Sequence, residues 1–182
     1  VKAQVLGKHT LEKENQAMRV QNFMNYQLTE QMPEYFDEFE RMLFHLPLIG
    51  SSFKKIYYDA SFKRPVSEFI PIDQFYVSYN LRNADRYTHV IYKSPVDLHR
   101  EIKAEMYADI DLPEAGMVNP TSFSEKMDTI IGLSPSSASD PQYVLLEQHC
   151  YLDIDEPNSE EGESLPYIVT IEEQSKEVLS IR

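Results

Sequence analysis

The chain has 182 residues, 30 of them acidic and 17 basic, which gives a formal net charge of −13 at pH 7. This charge repels a phosphate backbone and argues against tight nucleic-acid binding, and no apolar run is long enough to predict a membrane span. Cys150 is the one cysteine, which excludes an internal disulfide, so we expect assembly in a cytoplasm.

Apolar residues recur at helical spacing near the start of the chain. The first predicted helix starts near Thr10, which suits an N-cap, and stops at Pro33. Its predicted apolar face consists of Ala17, Val20, Met24 and Leu28.

A second helix is predicted over "EYFDEFERMLFHL" and is expected to end at Pro47 and Gly50. Its predicted apolar stripe consists of Phe36, Phe39, Leu43 and Leu46. Four charged residues are expected mostly to face water, namely Asp37, Glu38, Glu40 and Arg41.

Short segments rich in Tyr, Phe, Ile and Val then predict β-strands separated by polar turns. These segments are Phe53 to Asp59, Pro65 to Ile72, Gln74 to Asn80, and Thr88 to Lys93.

The last of these strands leads into a clear helix start, with Ser94 as N-cap, Pro95 at the first helical position and Asp97 placed as in a capping box. The predicted buried face of this helix consists of Leu98, Ile102 and Met106.

Ser122 and Glu125 repeat the capping-box spacing, and Gly132 suits a left-handed C-cap. The predicted stripe of this helix is Phe123, Met127 and either Ile130 or Ile131. A surface loop is expected from Ser134 to Gln142 because the segment is small, polar and contains two prolines.

The last third predicts an antiparallel β-meander over residues 143–182, interrupted by an acidic loop from Asp155 to Leu165. Its closing hairpin is "PYIVTIEEQSKEVLSIR", and because the second strand of this hairpin reaches Arg182, we expect a piece of a larger protein. On the first strand Val144, Leu146, Cys150, Leu152 and Ile154 share one face. The other face carries Tyr143, Glu147, His149, Tyr151 and Asp153.

The acidic loop invites comparison with a calcium-binding loop, because Asp153 and Asp155 occupy the first and third positions. The fifth position, which requires a ligand, is Pro157, and the sixth, which requires a glycine, is Asn158. The twelfth position, which requires a bidentate Glu, is Ser164. A solvated hairpin loop is therefore the favoured interpretation.

His149 and Cys150 are neighbours in sequence, but neighbouring side chains of a strand point to opposite faces and cannot form a nucleophile and base pair. The chain also lacks phosphate-binding and nucleophile-elbow motifs. We predict no enzyme, and no catalytic, cofactor-binding or metal-binding residues.

The segment "FKKIYYDASFKRP" mixes aromatic residues with four cations, a combination that single-stranded nucleic-acid grooves use. The cations are Lys54, Lys55, Lys63 and Arg64, and the aromatic residues are Phe53, Tyr57, Tyr58 and Phe62. The favoured alternative is a hairpin whose aromatic residues pair across the strands and whose lysines discourage aggregation at the edge.

Two stretches resemble the portal proteins, or head-to-tail connectors, of P22-like short-tailed bacteriophages. They are "YFDEFERMLFHLPLIGSSFKKIYYDASFKRPVSEFIP", Tyr35 to Pro71, and the closing hairpin, Pro166 to Arg182. The likeness is weak from Met106 to Pro141.

This resemblance implies a structural subunit of a dodecameric ring at one capsid vertex of the virion, with no cofactor. Double-stranded DNA passes through such a ring during genome packaging and ejection without sequence-specific binding. The implied partners are other portal subunits, the capsid, terminase and tail proteins, and no membrane.

We therefore expect an α+β fragment of a portal subunit, from its wing-like region, with N-terminal helices packed on antiparallel sheet. We treat residues 1–182 as one fragment, with a helical arm over residues 8–49 and mixed strands and helices over residues 51–182. Two alternatives remain open. One is a metal-dependent hydrolase that uses clustered carboxylates with His89 or His99, and the other is an acidic adaptor that binds a basic partner near Glu160 and Glu161.

Overall fold

A computed structural model of the chain describes residues 1–59, 62–78, 85–119, 121–132, 140–154 and 164–182. The fold is α+β, as expected, with helices and antiparallel strands. The chain divides into two compact units, Val1–Pro71 and Ile72–Arg182. The first β-hairpin thus belongs to the same unit as the two N-terminal helices, whereas we expected those helices to form an arm that ends at residue 49.

The first unit contains helix α1 (Leu11–Tyr26), a π-helical turn (Gln27–Gln31), helix α2 (Tyr35–Ile49), and strands β1 (Phe53–Asp59) and β2 (Arg64–Ile70). The two strands form an antiparallel hairpin in which Phe53 pairs with Ile70 and Asp59 with Arg64. Both helices and the hairpin were predicted from the sequence.

Helix α1 begins as predicted, because the Thr10 side chain accepts a hydrogen bond from the Lys13 backbone N–H. Its predicted apolar face is not buried, since Val20 and Met24 are exposed and no residue of the helix is fully buried. The helix instead contacts the first residues of the chain through polar side chains: the backbone N–H of Ala3 donates to Gln21 Oε1 at 3.2 Å.

Helix α2 ends at Gly50 as predicted, but Pro47 does not stop it. Pro47 lies inside its last turn, where a missing N–H removes a single hydrogen bond and leaves the rest of the helix intact. Gly50 ends the helix in the left-handed conformation, with a φ of 83°, and its N–H donates to the Leu46 carbonyl oxygen at 2.8 Å.

In its described residues, the second unit contains one antiparallel sheet and three short helical elements. The strands are β3 (Phe75–Val77), β4 (Tyr87–Lys93), β5 (Gly116–Met117), β6 (Pro141–Leu152), β7 (Leu165–Glu172) and β8 (Val178–Ile181). Their order is β3-β4-β6-β7-β8, with β5 beside the first residues of β6, so the predicted closing meander is confirmed. The helical elements are a 3-10 turn (Ile72–Gln74), helix α3 (Pro95–Lys103) and helix α4 (Ser122–Ile131).

Several predicted boundaries of this unit differ from the observed ones. The strand predicted from residue 74 starts one residue later, after the 3-10 turn, and residues 79–80 of that prediction lie outside the described part of the chain. The predicted surface loop is only partly testable, because residues 133–139 are not described, while Pro141 and Gln142 already belong to β6.

Helix α3 forms as its capping residues predict. The Ser94 side chain accepts a hydrogen bond from the Asp97 backbone N–H at 3.2 Å, and its hydroxyl donates to Asp97 Oδ2 at 2.7 Å. Leu98 is buried as predicted, but Met106 lies beyond the helix, which ends at Lys103.

Helix α4 begins one residue earlier than predicted, because Thr121 rather than Ser122 caps it by accepting from the Ser124 N–H at 3.1 Å. Met127 is buried, Ile130 is exposed, and Gly132 ends the helix in the left-handed conformation as predicted. The side chain of Ile131 lies outside the description.

The core of the second unit lies where α3 packs on β6 and β8. Its buried residues are Leu98, Tyr107, Leu145 and Leu179, and half-buried apolar residues such as Ile91 and Ile102 surround them. This arrangement corrects the predicted apolar face of β6. Leu145 shares its face with Glu147 and His149, so the face predicted to be polar is the one that joins the core.

Within the described residues, no helix has the length and apolar character that crossing a membrane requires.

Candidate functional site

Carboxylate side chains connect one face of α2, its inner face, to strand β2 of the first hairpin. Glu38 Oε2 accepts a hydrogen bond from the backbone N–H of Phe69 at 2.7 Å, and Glu34 Oε1 accepts one from the N–H of Ser67 at 3.3 Å. Glu34 and Glu38 lie one helical turn apart, and Ser67 and Phe69 alternate along β2, so the two spacings match. Helix α2 thereby satisfies N–H groups along one edge of the hairpin and protects that edge from pairing with other strands.

An ion pair supports the same contact. Arg64 Nη1 lies 2.8 Å from Glu34 Oε1 and also donates to the Gln31 carbonyl oxygen at 3.1 Å. Burial alone would raise the pKa of Glu34, but the hydrogen bonds from Arg64 and from backbone N–H groups outweigh it and lower the pKa below its ordinary value. The prediction that Glu38 mostly faces water is wrong, because its carboxylate is used inside the unit.

His45 completes this inner face. It is buried, its Nδ1 forms a 2.7 Å hydrogen bond with the Arg41 carbonyl oxygen, and its ring centroid lies 4.8 Å from that of Phe69. The face of α2 that packs on the hairpin is therefore made partly of polar groups.

The outer face of α2 carries most of the apolar stripe that the sequence predicted to be buried. Phe36 is 59% exposed, Leu43 48% and Leu46 39%, while Phe39 alone of the stripe is half-buried. The correction follows from the inner contacts, because Glu34, Glu38 and His45 can reach hydrogen-bond partners only if their own side of the helix faces the hairpin. We call Phe36, Leu43 and Leu46 the outer stripe.

Two of the four cations of the first hairpin, Lys54 and Arg64, are engaged by side chains of the same unit. Lys54 Nζ lies 3.9 Å from the centroid of the Tyr35 ring, and Arg64 is paired with Glu34. Burial lowers the pKa of Lys54, although the charges of Glu38 and Glu34 act in the opposite direction. Tyr57 and Tyr58 stand opposite Val66 and Pro65, so cross-strand pairing occurs, but between aromatic and aliphatic residues.

A polar cluster occupies the α3 side of the second sheet. His149 Nε2 lies 3.2 Å from Glu147 Oε1, its Nδ1 lies 3.1 Å from the Tyr87 hydroxyl, and Arg182 Nη2 lies 3.7 Å from Glu147 Oε2. Each ring nitrogen of His149 therefore has a hydrogen-bond partner, and the donor and acceptor roles follow the tautomer of the ring. Both ring nitrogens are thus occupied, which leaves His149 no free lone pair for a metal or a thiol.

The opposite side of the same sheet carries an open groove of about 540 Å³. Its floor comes from β4 and β6, where Val90 stands opposite Leu146 and Tyr92 opposite Val144. Its rim is formed by Tyr76, Thr88, Met117, Val118 and Glu173. The groove thus combines an aliphatic floor with the polar side chains of Tyr76, Thr88, Tyr92 and Glu173.

The remaining predicted candidates are not brought together as a catalytic site. His89 is buried in β4, whereas His99 lies on the exposed face of α3. No group of three or more His, Cys, Asp or Glu residues could hold a metal ion within the part of the chain that the structure describes. Asp155, Glu160 and Glu161 lie outside the described residues, so the acidic-loop predictions stay predictions.

Two features, the polar inner face of α2 and the groove on the second sheet, were not predicted from the sequence. Polar residues recur at helical spacing along α2, namely Glu34, Glu38 and His45. This periodicity could have predicted that the helix has a polar face that packs inside the unit. The groove had no such signal, because its residues come from segments that are distant in sequence, namely β3, β4, β6 and the ends of β5 and β7.

No protein-family model matches the sequence, and a comparison with curated protein sequences also found no match.

Proposed function

We propose that this chain belongs to a structural subunit of a viral portal ring, the head-to-tail connector at one capsid vertex of a short-tailed phage. The resemblance of residues 35–71 and 166–182 to that family supports the proposal. Each resembling stretch coincides with a contiguous piece of structure: the first with α2 and the hairpin, the second with β7 and β8. In this proposal the protein resides in the virion and contributes shape and contacts rather than bond cleavage.

The observation that carries the proposal is the outer stripe. Phe36, Leu43 and Leu46 place an apolar face on the solvent side of a helix in a chain whose net charge is −13. Extended exposed apolar surface on a protein is typical of a protein–protein interface. A subunit that presents such a surface to a different surface of its neighbour forms a head-to-tail contact, and head-to-tail contacts that close produce a ring.

The charge of the chain suits the same role. A channel for double-stranded DNA must let the duplex slide, and a strongly acidic protein gains little from the release of counterions that drives tight DNA binding. Two of the four hairpin cations, Lys54 and Arg64, are already engaged by Tyr35 and Glu34 and are not free to bind phosphate. Passage of DNA without retention is therefore part of the proposal.

Electron microscopy of the natural full-length gene product tests the proposal. We expect closed rings, and we expect them to be lost in the double variant Phe36→Lys and Leu43→Lys. The matched control is Val96→Lys, which introduces the same charge at an apolar residue that is 69% exposed on α3. A wild-type protein that stays monomeric at micromolar concentration, or rings that survive the double variant, would contradict the proposed role of the outer stripe.

An activity assay separates the proposal from the hydrolase alternative. We expect no turnover of DNA or phosphate-ester substrates with Mg²⁺, Mn²⁺ or Zn²⁺. Activity that disappears on replacing one carboxylate of the cluster around His149, for example in Glu147→Gln, would favour the hydrolase instead.

A further inference from the structure

We propose that the groove on the second sheet binds an arginine side chain presented by a partner polypeptide. The proposal concerns the second unit by itself and does not depend on ring formation. It rests on the shape of the groove, the composition of its floor and rim, and the sign of the charge around it.

The shape suits an extended side chain with an apolar stem. The floor residues Val90, Val144 and Leu146 are aliphatic, and their neighbours in sequence, Ile91 and Leu145, point to the other side and pack against the core. The volume of about 540 Å³ lies within the range of small-ligand sites. The methylene groups of a long cationic side chain would cover this floor, as such stems commonly do on apolar surface.

The charge around the groove is negative. Glu173 lies on the rim and makes no side-chain ion pair or hydrogen bond among the described residues. The negative charge of Asp73 also reaches Tyr92 on the groove floor. Burial raises the pKa of Tyr92 above its ordinary value, and the charges of Asp73 and Glu173 raise it further. No Lys, Arg or His is among the described residues that line the groove. An anionic guest such as a phosphate would be repelled here.

Two aromatic rings favour arginine over a simple ammonium group. Tyr76 and Tyr92 stand at the rim and floor, and the planar guanidinium can stack on such rings while it pairs with a carboxylate such as Glu173. Asp73 is already used by the Thr121 hydroxyl, which donates to its Oδ2 at 2.7 Å. Glu173 is therefore the carboxylate that we assign to the guanidinium.

The test is a titration of the isotope-labelled full chain, followed by NMR, with the peptide acetyl-Gly-Arg-Gly-amide. The comparison peptide replaces arginine by citrulline, which has nearly the same shape but no charge. We expect saturable shifts of the backbone amides along β4 and β6 with the arginine peptide and at least several-fold weaker binding of the citrulline peptide. Equal affinity for the two peptides, or shifts spread evenly over the acidic surface, would overturn the proposal.

Variants with matched controls locate the contact. Glu173→Gln should weaken arginine-peptide binding about two- to fivefold, as expected for an exposed ion pair, whereas Glu177→Gln on the neighbouring turn should leave it unchanged. Tyr76→Ala should weaken binding by a similar factor of about two to five through loss of the cation–π contact, with the exposed Tyr151→Ala as control. All four residues are exposed, so folding is retained. Identical effects of Glu173→Gln and Glu177→Gln would mean general attraction to an acidic protein and would refute the site.

Discussion

The Glu38 carboxylate accepts a 2.7 Å hydrogen bond from the backbone N–H of Phe69, and this contact fixes one edge of the first hairpin against α2. The helix and the strand are joined here by a charge and a backbone group rather than by apolar side chains. This relationship explains why the apolar stripe of the same helix faces outward.

Loss of the Glu38 carboxylate should therefore loosen the hairpin. We expect Glu38→Ala to destabilise the first unit by about 1–3 kcal/mol, because the N–H of Phe69 loses a charged acceptor. Hydrogen exchange at the Phe69 amide is the measurement, and its protection should fall sharply. Asp37→Ala, an exposed neighbour, serves as control and should change stability by less than about 0.5 kcal/mol. Unchanged protection of Phe69 in Glu38→Ala would show that the carboxylate does not hold the edge.

Shortening residues of the outer stripe should cost little stability in the isolated chain. We expect Phe36→Ser and Leu43→Ser each to change the free energy of unfolding by no more than about 0.5 kcal/mol, since Phe36 is 59% and Leu43 48% exposed and neither belongs to a buried cluster. Urea unfolding of the isolated chain gives this number. A loss of about 2–5 kcal/mol would indicate that these residues belong to a buried core instead.

The core of the second unit should respond in the opposite way. Leu98 is 2% exposed and contacts the buried cluster beneath α3, so Leu98→Ala is expected to cost about 2–5 kcal/mol. Val96→Ala, at an exposed position of the same helix, should have an effect within about 0.5 kcal/mol. Thermal unfolding of the two variants under one set of conditions provides the comparison. If the two substitutions were equivalent, α3 would not pack on the sheet through Leu98.

Lowering the pH should remove the stabilising contribution that Glu172 makes to the hairpin of β7 and β8. Burial alone would raise the pKa of Glu172, but hydrogen bonds from the Ser175 and Gln174 N–H groups and the Ser175 hydroxyl outweigh it and lower the pKa below the usual 4.5, with a further contribution from Lys176. The unfolded chain then binds the proton more readily than the folded chain, so stability falls as pH drops below the ordinary value and through the folded pKa.

The variant Glu172→Gln isolates this contribution. At pH 7 we expect it to be about 1–3 kcal/mol less stable than the wild type, because charged hydrogen bonds are replaced by neutral ones. The difference should shrink as the pH falls through the lowered folded pKa and vanish below it, where both the folded and the unfolded carboxyl are protonated. Urea unfolding at a series of pH values measures it, with the exposed Glu177→Gln as control. A difference that did not depend on pH would point to packing rather than to the charge.

The sequence by itself determined the local elements of this protein. The caps at Thr10, Ser94 and Gly132, and the alternation along the closing meander, depend on neighbouring residues, so they could be recognised without the fold. Leu98 and Met127 were also predicted to be buried, but only the tertiary structure decided which faces α2 and β6 bury. Helix α2 turned its carboxylates inward because the open edge of β2 offers N–H groups that need acceptors, and β6 joined the core through Leu145 beside Glu147. Most residues of the groove lie on β3, β4, β5 and β6, with Val118 and Glu173 following β5 and β7, so strand pairing rather than spacing along the chain brings them together.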